Sequence, residues 1–147
     1  MARLADNSKA RFDYEILKPF TAGLELFGHE VKSVRSGKMS LRGSYVIIRG
    51  NEAFLLGADV APYQPKNILK EYDHLRPRKL LLSKKEIEEL GKAENTKGLT
   101  IVPLSVYNKG RFLKLDLAIA RGKKKFDKRQ AVKKRDTERE IGRTLKK

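Results

Sequence analysis

A strict alternation of apolar residues constrains the fold of this chain more than any other sequence feature. Large apolar side chains occupy every second position at Leu113, Leu115, Leu117 and Ile119. This two-residue period is typical of a β-strand that is buried on one face. An earlier apolar segment, 99–107, is separated from it by Asn108-Lys109-Gly110, so the pair predicts a β-hairpin.

Two further strand signals precede this hairpin. The segment 46–56 places Gly50-Asn51 between two apolar runs, which is a strong signal for a two-residue hairpin turn. Near the start of the chain, Phe12, Tyr14 and Ile16 alternate with charged residues and predict a half-buried strand.

Two short helices interrupt the strands. Ser83-Lys84-Lys85-Glu86 has the spacing of a capping box, and Gly91 is expected to end the helix that follows. Apolar residues at helical spacing predict a second helix at about 28–36, with Gly37 after it. His29 and Glu30 are adjacent in it and are interpreted as ordinary helix surface.

These elements predict a mostly β fold. Short antiparallel strands must close or be covered to hide their edges, which favours a small OB-type β-barrel with two short helices. A two-layer α/β sandwich is the main alternative.

The positive charge divides the chain into two parts. The sequence has 34 Lys and Arg residues against 18 Asp and Glu residues, for a net charge of +16. Residues 121–147 contain thirteen basic and four acidic residues, a net +9, whereas the first 120 residues carry +7. We therefore expect a folded body at 1–120 and a basic tail at 121–147.

The tail has few large apolar residues, so it is expected to be disordered when free. A helical projection places six of its cations within an arc of about 80°: Lys125, Lys128, Arg135, Arg139, Arg143 and Lys146. The tail is therefore interpreted as a segment that folds to a helix when a polyanion neutralises that face. A solubilising tail is the alternative.

Several function classes are disfavoured by composition. The chain has no cysteine and only two histidines, so no metal site, cofactor or catalytic residue is predicted, and we expect no enzyme activity. It has no apolar run of the roughly 18 residues that a membrane span needs and no signal peptide, so no membrane contact is expected. A cytoplasmic monomer is expected.

Two basic segments of the body are candidates for RNA binding. Arg76-Pro77-Arg78-Lys79 leads into a run of leucines, and its charges are expected to project from one side of the barrel. The segment Asn7 to Arg11, which includes Lys9, is interpreted as a basic arm before the first strand, with a frayed terminus as the alternative.

A set of short motifs resembles the SsrA-binding protein family, also called small protein B. The motifs run in order along the chain: Asn7-x-x-Ala10-Arg11, Ala22-Gly23-Leu24, Gly28-x-Glu30-Val31-Lys32-Ser33-Val34-Arg35-x-Gly37, Ser44-Tyr45, Pro62-Tyr63, Arg78-Lys79-Leu80-Leu81-Leu82 and Ala120-Arg121-Gly122-Lys123-Lys124-x-x-Asp127-Lys128-Arg129. Each motif alone is weak, but their combination is specific.

The resemblance implies a protein partner of transfer-messenger RNA (tmRNA) in bacterial trans-translation. It implies an OB-type body that binds the tRNA-like domain of this RNA. It also implies elongation factor Tu as an indirect partner, through alanylated tmRNA. It also implies a tail that becomes helical in the empty mRNA channel, against small-subunit ribosomal RNA near the decoding centre. A structural ribosomal protein or a general single-stranded RNA-binding OB protein is the alternative function.

The resemblance also assigns residues. Asn7 and Leu81 would lie on the tmRNA surface, with Lys79 adjoining it; the basic segments add Lys9, Arg11, Arg76 and Arg78. The residues assigned to the ribosome are in the tail: Gly122, Lys123, Lys124, Asp127, Lys128, Arg129, Arg135, Arg139 and the apolar anchor Leu145. Thr21 stands where the family usually has an RNA-binding glutamate, so the chain departs from the family pattern at this position.

Overall fold

The computed structural model describes residues 3–63 and 72–123 of the chain. The elements in order are β1 (Arg3–Asp6), α1 (Ser8–Asp13), β2 (Tyr14–Leu24), α2 (Gly28–Arg35), β3 (Met39–Ser40), β4 (Tyr45–Arg49), β5 (Glu52–Leu56), β6 (Asp59–Val60), β7 (Arg78–Leu81), α3 (Lys84–Glu94), β8 (Leu99–Lys109) and β9 (Phe112–Gly122). In the described part no helix is long and apolar enough to cross a membrane.

Seven of the strands form one antiparallel sheet in the order β1-β8-β9-β2-β7-β5-β4, and β3 pairs with β6 in a separate ladder. Both predicted hairpins are confirmed. The β4–β5 turn has Gly50 at φ 57° and Asn51 at φ 63°, the two positive values that a type I′ turn requires. The β8–β9 turn lies at Gly110 and Arg111, slightly later than predicted, and Gly110 has φ 60°.

The main core lies on the inner face of the sheet. The alternating residues of β9, from Leu113 to Ile119, point into it together with Leu55, Leu80 and Ile101. Leu90 of α3 and Val34 of α2 are fully buried against the same cluster. The period-two pattern of β9 thus predicts the face that is buried.

A second apolar cluster lies on the opposite, outer face, beneath α1. Ala118 and Ala120 of β9 pack with Val102 and Leu104 of β8 and with Ala10 of α1. Because α1 covers this end of the sheet, β8 is buried on both faces from Ile101 to Val106. The basic arm predicted at Asn7 to Arg11 is therefore wrong: Asn7 caps α1, and the residues after it belong to that docked helix.

Other predictions need correction. The first long strand begins at Tyr14, so Phe12 belongs to α1, and three helices are present in the described residues, not two. The capping box of α3 is confirmed, since Ser83 Oγ accepts from the Glu86 N–H and Glu86 Oε1 accepts from the Ser83 N–H. Gly91 does not end this helix, which continues to Glu94.

The predicted barrel is only partly supported. The fold is mostly β with short helices, but the described strands form no closed hydrogen-bonded barrel, because β1 and β4 end the sheet order. α3 packs against β4 and β8. The observed sheet is therefore antiparallel and partly covered by helices.

Candidate nucleic-acid interface

The motif residue Glu30 is the centre of a buried ionic cluster. Its carboxylate has no exposed surface and accepts hydrogen bonds from the guanidinium groups of Arg76 and Arg78. Arg78 is equally buried and places Nη2 2.6 Å and Nε 3.1 Å from Glu30 Oε2. The backbone N–H of Phe27 donates to the other oxygen, Oε1, at 2.8 Å. Glu30 therefore joins the start of α2 to the strand β7.

The remaining donors of Arg78 are also satisfied. Its guanidinium donates to the carbonyl oxygens of Ala58 at 2.8 Å and His74 at 3.0 Å. The Tyr72 hydroxyl lies 2.9 Å from both Glu30 Oε2 and the Val60 carbonyl oxygen, and it accepts from Arg78 Nη2. A buried charge that is fully hydrogen-bonded in this way fixes the geometry of the segments that surround it.

Two pKa values reflect this cluster. Burial alone would raise the pKa of Glu30, but hydrogen bonds from Arg76, the Phe27 N–H and Arg78 outweigh it and lower the pKa to about 2. Burial and the neighbouring Glu30 carboxylate raise the pKa of Tyr72 to about 12. At neutral pH the cluster thus holds one carboxylate against two guanidinium groups.

The cluster overturns two expectations from the sequence. The Arg78 side chain does not project from the barrel, because it is the largest fully buried side chain among the described residues. The Arg76 side chain is only 23% exposed and is bound to Glu30, and Glu30 itself is not helix surface. Charge alone predicted these arginines at the surface, because no local pattern indicates which carboxylate pairs with them in the core.

A row of paired residues crosses three strands on the outer face of the sheet, with an exposed leucine at one end and a half-buried lysine at the other. Leu81 of β7 pairs with Gly23 of β2, which pairs with Lys114 of β9. Leu81 is 54% exposed, and a Cβ at Gly23 would lie only 3.1 Å from the Leu81 Cβ, so the missing side chain lets Leu81 pack down onto β2. The structure thus places Leu81 at the surface and adds Lys114, which the sequence analysis missed.

Charged side chains flank this row. Lys79 lies two residues before Leu81, is 40% exposed and pairs with Glu52 at 3.2 Å. The hydroxyl of Thr21 donates to Asp116 Oδ1 at 3.1 Å. A carboxylate therefore stands beside Thr21 on the neighbouring strand, at the place where the family resemblance expects a glutamate on β2 itself.

Asn7 is a helix cap and not an exposed contact. Its side chain is buried: Oδ1 accepts from the Ala10 N–H at 3.3 Å and Nδ2 donates to the Pro103 carbonyl at 2.9 Å. The structure thus places the Asn7 side chain within the body, where it caps α1, and the contact of Asn7 with RNA stays a prediction. The neighbouring Lys9 is exposed, whereas Arg11 is half-buried in an ion pair with Asp6.

The root of the tail is anchored beside α1. Gly122 ends β9, and the Lys123 N–H donates to the Asp13 carbonyl at 2.9 Å while its Nζ lies 3.4 Å from the Arg11 carbonyl. Seven of the predicted ribosome residues lie outside the described residues: Lys124, Asp127, Lys128, Arg129, Arg135, Arg139 and Leu145.

The described residues contain no group of three or more His, Cys, Asp or Glu side chains that could hold a metal ion. What they present instead is a sheet face with an exposed leucine, a glycine beneath it and lysines at its edges. Such a surface suits a folded polyanion, and the fold and surface together define a small basic β domain of the nucleic-acid-binding class.

Comparisons with known proteins name the family. The sequence model of the SmpB protein family matches residues 4–147, so this chain belongs to that family. It is 49% identical over 146 residues to the SsrA-binding protein of Chloroflexus aggregans, covering 99% of this chain and 92% of the relative. The SsrA-binding protein of Prochlorococcus marinus subsp. pastoris is 49% identical over 144 residues, covering 98% of this chain and 82% of that protein.

A solved structure supports the same assignment. The chain matches, with a TM-score of 0.68 and 42% identity, a structure described as "tmRNA-SmpB: a journey to the center of the bacterial ribosome". The match covers 86% of this chain and 92% of the other. The family resemblance of the sequence motifs is thereby confirmed.

The Glu30 cluster predicts a loss of stability in acid. Because the pKa of Glu30 is about 2 in the folded protein and 4.5 ordinarily, its contribution is complete above pH 4.5 and is lost as the pH falls towards 2. The free energy of unfolding, measured with urea between pH 7 and pH 2, should therefore fall by up to about 3 kcal/mol from this group.

Glu30→Gln should lack this part of the acid dependence and should cost about 3–5 kcal/mol at pH 7, since two buried guanidinium groups lose their charged partner. If that variant does not fold, a carbon-13 NMR titration of the Glu30 carboxyl in the unmodified protein gives its pKa directly. A value near 4.5, or an unchanged acid dependence in the variant, would contradict the assignment.

Substitution of Asn7 should lower the free energy of unfolding, and this loss should accompany any change in RNA affinity. Asn7→Ala removes the cap of α1 and the bond to Pro103, so it should cost about 1–2 kcal/mol in urea unfolding. Asn7→Asp keeps the capping oxygen but sets a carboxylate oxygen against the Pro103 carbonyl in a buried site, so it should cost at least as much. The exposed Lys9→Ala should stay within about 0.5 kcal/mol. Unchanged stability of Asn7→Ala, combined with lost RNA affinity, would show a direct contact instead.

Proposed function

We propose that this protein binds the tRNA-like domain of tmRNA and delivers it to stalled ribosomes for trans-translation. The observation that carries the proposal is similarity over nearly the whole chain, at 42–49% identity, to SsrA-binding proteins and to a structure that concerns tmRNA and SmpB on the ribosome. The net charge of +16 supports a large RNA partner.

The RNA-binding surface in this proposal is the outer face formed by β7, β2 and β9. Leu81 supplies apolar contact above Gly23, and Lys79 and Lys114 supply positive charge on either side of it. Lysines suit the phosphates of an A-form helix, and an exposed leucine suits the sugar edge of a shallow minor groove. Arg76 and Arg78 contribute by holding the start of β7 in place.

The tail serves the ribosome in the same proposal. Lys123 is anchored to α1 at the end of β9 that is farther from Leu81, so body and tail have separate places at which to contact RNA. Residues 124–147 would become helical in the empty mRNA channel of the small subunit, with their cations against ribosomal RNA. Elongation factor Tu takes part indirectly, through alanylated tmRNA.

The fold, the mode of action and the cellular location also belong to this proposal. The partly covered antiparallel sheet is an open form of the OB-type barrel. The protein acts by binding, without catalysis. Glu30 is the one buried acidic residue in the described part of this region, and its carboxylate is already paired with Arg76 and Arg78. Its place of action is the cytoplasm, where ribosomes translate.

Charge reversal on the outer face should weaken binding to the isolated RNA. Lys114→Glu should lower affinity at least about tenfold and reduce the slope of log K against log salt by about 1, because one phosphate contact is lost. The matched control is Lys97→Glu, an exposed lysine after α3, which should change the affinity less than threefold. Filter binding with the tRNA-like domain gives both values.

Competition separates this function from the alternative. An excess of unrelated single-stranded RNA should leave binding of the tRNA-like domain largely intact. Equal competition by unrelated single strands would identify the protein as a general single-stranded RNA binder and would overturn the proposal.

Substitutions in the tail should separate binding from delivery. Asp127→Ala combined with Lys128→Ala should leave the affinity for free tmRNA within about twofold, because the outer face is intact. The same variant should abolish tagging in a reconstituted reaction with ribosomes stalled on truncated mRNA. Loss of binding to the free RNA would show that the two halves do not divide the work in this way.

A further inference from the structure

An exposed aromatic ring is stacked on Arg76 at the rim of the sheet. The guanidinium carbon of Arg76 lies 3.9 Å from the centroid of the Phe27 ring. Phe27 is nevertheless 54% exposed, although it is a large apolar residue at the start of α2. An arginine and a phenylalanine thus form a flat platform of which a large part faces solvent.

The platform is rigid before any partner binds. The edge of the Arg76 guanidinium is held by two hydrogen bonds to the buried Glu30 carboxylate. The Phe27 backbone N–H donates to the same carboxylate, so ring and guanidinium are positioned by one group. Ordering such a platform therefore costs little conformational entropy on binding.

The platform adjoins the proposed RNA surface. The Glu25 N–H donates to the Lys79 carbonyl at 3.0 Å, which places Phe27 two residues beyond the point where β2 meets β7. Arg76 precedes Lys79 by three residues, a distance of at most roughly 10 Å along an extended chain. One or two nucleotides could span the gap between Lys79 and the ring.

We infer that the Phe27–Arg76 platform stacks an unpaired base of the bound RNA. The inference rests on the proposed function. It extends the proposed RNA-binding surface past β7 to a stacking contact, which does not depend on the charge of a phosphate. Aromatic and guanidinium planes are the groups on which splayed RNA bases stack.

The local charges favour a base over a phosphate. Arg76 is already paired with a carboxylate, and the exposed acidic residue Glu25 precedes the ring by two residues and is bonded through its backbone to Lys79. A phosphate at this position would approach a negative side chain, whereas a base is neutral and presents a π-face. The contact should therefore be nearly independent of salt, unlike that of Lys114.

The first test measures affinity for the tRNA-like domain of tmRNA. Phe27→Ala should weaken binding about 5- to 150-fold, the range for loss of one stacked base, with an unchanged salt slope. Phe27→Leu keeps an apolar cover over Arg76 but has no π-face, so it should bind as weakly as the alanine variant and retain the thermal midpoint. Leu17→Ala, a 44% exposed residue of β2, is the matched control and should bind normally.

The second test reports stacking directly. The chain contains no tryptophan, so Phe27→Trp creates a single tryptophan at the platform, whose emission can be excited apart from that of the tyrosines. Its emission should be quenched when the RNA binds, and its affinity should equal or exceed that of the unmodified protein. Leu17→Trp, six residues from Gly23 along β2 and roughly 20 Å away, should show no quenching.

The outcomes are separable from those of the proposed function. If the unmodified protein fails to bind the tRNA-like domain selectively, the proposed function fails first. If it binds selectively but Phe27→Ala binds within twofold, or Phe27→Trp is not quenched, the stacking inference alone is overturned. Normal binding by Phe27→Leu would also overturn it, because the ring would then serve only to cover Arg76.

Discussion

The buried carboxylate of Glu30 is the interaction on which the arrangement of the molecule depends. It receives a donor from the start of α2 and others from the segment between Tyr72 and Arg78, which lies 42 to 48 residues further along the chain. Charges out of contact with water are costly unless every group is paired, so these segments must meet in one geometry. The outer face inherits that geometry, because Lys79 and Leu81 alternate along the same strand with buried Arg78 and Leu80.

The two faces of the sheet have different tasks. The inner face holds the main core, while the outer face is divided between a small apolar cluster under α1 and an open area around Leu81, Gly23 and Lys114. Small residues make both uses possible, since Ala118 and Ala120 let a helix approach and Gly23 lets a leucine side chain lie flat. The candidate interface is thus open because α1 covers only one end of the long strands.

Local patterns predicted the parts of the fold that depend on neighbours in sequence. Both hairpins, the capping box at Ser83 and the helix before Gly37 follow from turn chemistry and periodicity. α1 was missed because it is only six residues long and Ala10 is its one buried residue, and Gly91 did not stop α3 because packing outweighs its low propensity. Arg78 and Asn7 were misplaced for a different reason: their burial depends on partners 48 and 96 residues away, which no local pattern contains.

Strand β9 connects the proposed RNA-binding face to the start of the tail. Lys114 belongs to the open area of the outer face, and Gly122 is the last strand residue before the anchored Lys123. Eight steps of extended chain separate them, at most roughly 27 Å, and the strand is paired on both sides along most of that length. The strand is therefore a rigid spacer of fixed length between the RNA-binding face and the start of the tail. An RNA bound at one end and the tail that leaves the other end must rotate together. The distance between them is set by the protein before tmRNA or the ribosome binds.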